Sequence, residues 1–161
     1  MSLWDSAKQF VIHRLTPTFL VKTFARPYVA GDSIGAALHT ARELFQGRGL
    51  YTTLDVLGEE VSSPGEVEKH VELYLRLVER IEDPARCTIS LKPSAMGLEL
   101  DEALARRSIG RIVAAAARVG VATTIDMEDH RLTSATLQLH RHLRDAYPAE
   151  VVGTVLQEKQ G

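Results

Sequence analysis

The 161-residue sequence predicts an α/β fold made of the first four β/α units of a (β/α)8 barrel, preceded by short helices. Three observations lead to this prediction. Short β-rich runs alternate with longer helical patterns, which indicates βαβ units and a parallel sheet. A polar residue recurs near the end of each β-rich run at a nearly constant interval, at Asp55, Lys92, Asp126 and Gln157. The side chains along each run also divide into an apolar set and a small or polar set, as the outside and inside of a barrel require.

The chain is predicted to consist of an N-terminal helical segment, residues 1–31, and a partial barrel domain, residues 32–161. In the first segment, apolar residues recur at helical spacing, but Pro17 and Pro27 interrupt the pattern. In the barrel domain, strands are predicted over 50–57, 87–92, 121–126 and 151–157.

Four helices are predicted in the barrel domain, over 33–46, 63–81, 101–119 and 133–145. Gly47 is the expected stop of the first helix, since glycine adopts the left-handed conformation that ends many helices. Ser63 and Glu66 stand at the spacing of a capping box and are expected to begin the second. Gly120 is expected to end the third.

Alternation along the strands assigns each side chain to one of two faces. The inner face is predicted to hold Thr53, Asp55, Thr88, Ser90, Lys92, Ala122, Thr124, Asp126, Gly153, Val155 and Gln157. The outer face is predicted to hold Leu54, Val56, Ile89, Leu91, Val121, Thr123, Ile125, Val152, Thr154 and Leu156. An open sheet covered by helices on both sides needs two apolar faces, whereas a barrel needs only an apolar outside. The pattern therefore favours the barrel.

In such barrels the chemistry lies at the carboxyl ends of the strands. Lys92 and Asp126 are expected there on successive strands. A cation and an anion side by side suit a zwitterionic substrate, because each charge gains a partner on binding.

Composition excludes several classes of protein. The net charge of −2 gives no electrostatic reason to expect a nucleic-acid partner. Cys87 is the one cysteine, so the chain has no intrachain disulfide. No apolar run reaches the roughly 20 residues of a membrane span, and the first residues lack a signal-peptide pattern. A soluble cytoplasmic protein is expected. No metal site is predicted, since consecutive acidic residues at a strand end are usually solvated.

Four segments, taken in order, resemble the proline dehydrogenase family in its short monofunctional bacterial form. They are residues 53–59 (TLDVLGE), 90–97 (SLKPSAMG), 125–129 (IDMED) and 155–157 (VLQ). The resemblance implies oxidation of L-proline to 1-pyrroline-5-carboxylate in proline catabolism, with hydride transfer to FAD. It also implies that electrons then pass to a quinone, often at a membrane surface. The expected location is thus the cytoplasm or the inner face of the membrane.

The resemblance also implies roles for individual residues. Lys92 matches the lysine that pairs with the proline carboxylate, and Asp126 matches the aspartate that lines the substrate pocket. Met127 matches a position that contacts the flavin through its backbone, and Gln157 matches the amide that hydrogen-bonds the flavin ring. Asp55 lies in the motif of the first strand and is expected to be a structural residue that supports the site without itself binding the substrate.

Parts of the family pattern are not found in this sequence. The family's substrate-binding arginine pair and most of its flavin contacts follow the fourth strand, and a (β/α)8 barrel typically needs about 250 residues. The chain alone is therefore expected to be incomplete and inactive until a missing barrel half or another subunit closes the sheet. Two alternatives stay open: a non-catalytic half-barrel binding or assembly module, and an aldolase-type barrel in which Lys92 forms a Schiff base.

Overall fold

The computed structural model describes residues 31–58 and 61–155. In these ranges the elements are α1 (Ile34–Arg48), β1 (Thr52–Asp55), α2 (Pro64–Val78), β2 (Cys87–Leu91), α3 (Glu102–Val119), β3 (Thr123–Ile125), α4 (Thr133–Ala146) and β4 (Val152–Thr154). The chain divides into two compact units, Met1–Thr40 and Ala41–Gly161. The described part of the first unit is residues 31–40, where α1 begins, and the whole sheet belongs to the second. Apart from Gly31, the predicted N-terminal helical segment lies outside the described residues, as does Gln157.

The four strands form one parallel sheet in the order β1-β2-β3-β4. Thr52 is in register with Cys87, Ile89 with Thr123, and Thr123 with Val152. A helix connects each strand to the next, and α3 packs against both α2 and α4. The predicted succession of β/α units is confirmed.

The hydrophobic core lies between the outer face of the sheet and the helices. Outer-face side chains are buried at Leu54, Ile89, Leu91, Val121, Thr123, Ile125 and Val152. The facing side chains of the helices are equally buried, with Val71 and Ile109 fully enclosed. Burial of this apolar surface is the main source of stability for the layer. Most inner-face residues are half-buried or exposed, as the alternation predicted.

Two local details of the helix ends differ from the sequence prediction. Helix α1 continues through Gly47, and Gly49, with φ +67°, ends it. The amide of Gly49 donates to the carbonyl of Phe45, so the left-handed turn comes two residues later than predicted. The capping box is also different, because Ser63 makes no side-chain bond and the Glu66 carboxylate instead accepts from the amide and hydroxyl of Ser62.

The ends of α3 match the sequence pattern. The Asp101 carboxylate accepts a hydrogen bond from the amide of Leu104, and Gly120 follows the helix with φ 78°. Within the described residues, every helix is too short or too polar to cross a membrane.

Candidate active site

Three charged residues meet at the carboxyl edge of the sheet, which is the end where all four parallel strands finish. Asp55 is the last residue of β1, Lys92 follows β2, and Asp126 follows β3. The amide of Asp126 donates to the carbonyl of Leu91 at 2.9 Å, so the β2–β3 pairing extends to the base of the Asp126 side chain. The backbone ladder thus brings the predicted site residues Lys92 and Asp126 to one edge.

The Lys92 ammonium pairs with Asp55. Their Nζ–Oδ2 distance is 3.8 Å, and 30% of the Lys92 side chain and 28% of the Asp55 side chain are exposed. This distance is within reach of charge attraction but too long for a hydrogen bond. Among the residues that the structure describes, no hydrogen bond is made by the Lys92 ammonium. Asp55 therefore orients the Lys92 ammonium, while its N–H donors stay available to a second anion.

Asp55 is held by a phenol that comes from the helix layer. The Tyr74 hydroxyl on α2 lies 2.9 Å from Asp55 Oδ1. Burial raises the pKa of Asp55 above its ordinary value, although the hydrogen bond from Tyr74 and the charge of Lys92 act in the opposite direction. Burial also raises the pKa of the Tyr74 phenol, so the hydroxyl stays protonated.

Tyr74 is a site residue that sequence reasoning missed. It lies on the buried stripe of α2, between Val71 and Val78, and is 1% exposed. The only signal in the sequence is its residue type. A tyrosine on an aliphatic helix face needs a hydrogen-bond partner for its hydroxyl, which aims it at polar backbone or a polar side chain.

Asp126 and Met127 occupy the loop that follows β3, and both are half-buried. Within residues 31–58 and 61–155, the Asp126 carboxylate has no side-chain hydrogen bond. Ile125 is in register with Leu91, so Asp126 follows β3 at the level where Lys92 follows β2. The structure therefore places Lys92, Asp126 and Met127 at the same edge.

A second unpredicted feature joins the loops after β2 and β3. The Glu128 carboxylate accepts one hydrogen bond from the amide of Ser94 at 2.8 Å and another from its hydroxyl at 2.6 Å. Ser94 is buried, and both bonds end on a charged acceptor, which makes them strong. This Glu128–Ser94 clamp fixes the spacing between the loops that carry Lys92 and Asp126.

The inner face next to these residues is lined by small side chains. Thr124 and its register partner Gly153 are half-buried there, and a Cβ placed on Gly153 would meet no described atom within 4 Å. Deeper in the sheet, the hydroxyls of Thr53 and Thr88 bond each other at 2.9 Å. In the described ranges, no group of three or more histidine, cysteine, aspartate or glutamate side chains is placed to hold a metal ion.

The sequence matches the profile described as proline dehydrogenase over residues 37–158. The chain belongs to the proline dehydrogenase family. Among curated members, it is 37% identical to proline dehydrogenase 1 of Bacillus subtilis strain 168 over 134 residues, which are 83% of this chain and 43% of that protein. It is 34% identical to proline dehydrogenase of Deinococcus radiodurans over 137 residues, which are 83% of this chain and 44% of that protein. The chain thus spans less than half the length of these family members.

Solved structures of similar fold are also found among proteins named proline utilization A. That of Bdellovibrio bacteriovorus, inactivated by N-propargylglycine, has a TM-score of 0.68 at 19% identity, covering 80% of this chain and 16% of that chain. That of Bradyrhizobium japonicum has a TM-score of 0.60 at 20% identity, covering 79% and 14% respectively. At this identity the likeness concerns the fold, and it supports the predicted β/α barrel class. The proline dehydrogenase family as a whole is generally flavin-dependent.

Proposed function

We propose that this chain supplies one side of the active site of an FAD-dependent proline dehydrogenase, which oxidises L-proline to 1-pyrroline-5-carboxylate in proline catabolism. The observation that carries the proposal is the meeting of Lys92 and Asp126 at the carboxyl edge of the sheet, in a chain of this family. This edge is where barrels of the class place their chemistry. Within the described residues, the Lys92 ammonium and the Asp126 carboxylate make no side-chain hydrogen bond, and such a pair suits a substrate that carries both charges.

In the proposed site, the Lys92 ammonium binds the carboxylate of proline. Asp55 lies 3.8 Å away, so it orients the ammonium without occupying its hydrogen-bond donors. The Asp126 carboxylate accepts a hydrogen bond from the ring nitrogen of proline. Two fixed contacts, one to the ring nitrogen and one to the carboxylate on the adjacent carbon, orient the ring and so determine which ring carbon faces the reaction centre.

The residues present fit a flavin next to this substrate. The small inner-face side chains and the open space at Gly153 leave room for a planar ring. Met127 would contact the flavin through its backbone, and Gln157, outside the described residues, would hydrogen-bond the ring through its amide. FAD, when bound, supplies the acceptor for the hydride from the ring carbon beside nitrogen. A quinone as the final electron acceptor, and a location in the cytoplasm or at the inner face of the membrane, belong to the same proposal.

A proline dehydrogenase polypeptide that includes this chain provides the test. Lys92→Ala is expected to raise the KM for proline by about two orders of magnitude, the equivalent of a lost charge-assisted contact. Asp126→Ala is expected to lower kcat/KM comparably. Lys69→Ala on the exposed face of α2 is the matched control and is expected to leave both constants unchanged. Near-normal turnover by both site variants would refute the assignment.

Neither alternative function gains support from a specific observation. The family match leaves the aldolase-type barrel without a motif in its favour. The non-catalytic assembly module stays a prediction. The Lys92 and Asp126 variants distinguish it from the enzyme, because a module without proline turnover would show no fall in rate on either substitution.

A further inference from the structure

The hydroxyl of Tyr74 stands where a backbone hydrogen bond between β1 and β2 would be expected. At the start of the pair, the Thr52 amide donates to the Arg86 carbonyl at 3.0 Å, one residue before the register partner of Thr52. Parallel ladders repeat this pattern every two residues. Continued to the carboxyl edge, the pattern would join the Val56 amide to the Ser90 carbonyl.

The structure shows the phenol between these two backbone groups. The Val56 amide donates to the Tyr74 oxygen at 3.1 Å, and the Tyr74 hydroxyl lies 2.7 Å from the Ser90 carbonyl oxygen. One oxygen thus replaces a direct bond and keeps the two strands apart at their carboxyl ends. Because the phenol is 1% exposed, water has no access to take its place.

The same hydroxyl also reaches the site. Its single proton lies between two acceptors, the Ser90 carbonyl and Asp55 Oδ1, the latter at 2.9 Å. Asp55 Oδ2 in turn faces the Lys92 ammonium at 3.8 Å. A chain of contacts therefore runs from the buried face of α2 through the separated strand ends to the lysine.

We propose that Tyr74 is a positioning residue for substrate binding: its hydroxyl separates the ends of β1 and β2 and, through Asp55, directs Lys92 towards the substrate carboxylate. The proposal rests on the proposed function, since it takes Lys92 to be the carboxylate contact. Tyr74 itself touches no reacting atom. Its effect should therefore be confined to recognition of the carboxylate.

The test compares two ligands of a full-length proline dehydrogenase containing this chain: L-proline as substrate, and L-prolinol, in which an alcohol replaces the carboxylate, as competing inhibitor. Tyr74→Phe removes the hydroxyl and keeps the ring. The KM for L-proline is expected to rise about tenfold, the equivalent of one weakened charge-assisted contact, while the inhibition constant of L-prolinol changes less than about twofold. Lys92→Ala should shift the two constants in the same selective way.

Two controls separate positioning from a general loss of structure. Val71→Ala removes buried volume from the same face of α2 without touching Asp55, and it is expected to change neither constant selectively. In a Lys92→Ala background, Tyr74→Phe should have little further effect on proline, because residues acting through one contact are not additive. If Tyr74→Phe fails to fold, Asp55→Asn breaks the same chain of contacts from the other end and should give the same selective loss.

The outcomes distinguish the two proposals. If Lys92→Ala selectively weakens proline but neither Tyr74→Phe nor Asp55→Asn does, the positioning role is refuted and the proposed function stands. The positioning role is also refuted if Tyr74→Phe weakens the binding of L-proline and L-prolinol equally. It is refuted as well if Tyr74→Phe raises the KM for L-proline in the Lys92→Ala background as much as it does alone. If Lys92→Ala leaves the discrimination between proline and prolinol intact, the proposed function fails and the inference fails with it.

Discussion

The Glu128–Ser94 clamp gives a quantitative prediction for the stability of the candidate site. Glu128→Ala removes an acceptor that binds the Ser94 amide at 2.8 Å and the Ser94 hydroxyl at 2.6 Å. A hydrogen bond to a charged group contributes about 1.5–3 kcal/mol, and the two bonds share one half-buried carboxylate, so the expected loss is about 2–3 kcal/mol. The free energy of unfolding should fall by this amount, because the buried Ser94 amide also loses its partner.

Urea unfolding followed by circular dichroism measures this loss. The slope of the free energy of unfolding against urea concentration checks that the denatured state is unchanged. Ser94→Ala removes one of the two bonds and should cost about 1–1.5 kcal/mol. Glu128→Gln keeps an acceptor for the amide and should cost less than Glu128→Ala. The exposed Glu79→Ala is the control and should stay within about 0.5 kcal/mol of the unaltered protein. A Glu128→Ala loss no larger than that of Glu79→Ala would show that the clamp does not hold the loops.

Four further substitutions test the stability of the structure. Gly97→Ala should destabilise by at least about 2 kcal/mol in thermal unfolding, because Gly97 has φ +87° and an added Cβ would lie 3.0 Å from a neighbouring methyl group. Gly110→Ala, in α3 with open space around it, should instead stabilise by about 0.5–1 kcal/mol, and equal effects at the two glycines would contradict the argument. Backbone hydrogen bonds lower the pKa of the cap residue Asp101, so its stabilisation is present at neutral pH and is lost as the pH falls through this lowered value. Asp101→Ala should therefore lower Tm at pH 7, and the difference should shrink as the pH falls; a pH-independent difference would be evidence against the cap. The raised pKa of Asp55 has the opposite effect, because the stability it contributes is lost as the pH rises through the raised value. The Tm of the unaltered protein relative to that of Asp55→Asn should therefore fall from acidic to neutral pH, and a relative Tm that rises with pH would overturn this sign.

Much of the fold follows from local patterns in the sequence. The alternation around Leu54 and Ile89 identifies which strand faces are buried, because strand side chains alternate with a period of two wherever the backbone is extended. The same alternation, with the rule that parallel strands end at one edge, brings Lys92 and Asp126 together without any knowledge of loop structure.

The parts that were missed depend on distances between elements. The contact of Tyr74 with Asp55 requires a helix side chain to reach a strand end, and Tyr74 is not among the buried or functional positions predicted from the sequence. The Glu128–Ser94 clamp depends on how two irregular loops fold over the edge of the sheet, which no periodicity encodes. Gly47 and Gly49 stand close together in the sequence. Only the backbone geometry shows that α1 ends at Gly49, which has the positive φ.

The strand order has a consequence for how the protein is made. Each pairing joins strands that follow one another in the chain, roughly 30 residues apart, so the loops that close during folding are short. At the usual synthesis rate of about 5–20 residues per second, each β/α unit leaves the ribosome within seconds of the one before it. Each strand of the described sheet is therefore followed within seconds by its next pairing partner. No pairing in this sheet has to wait for a strand from a distant part of the chain.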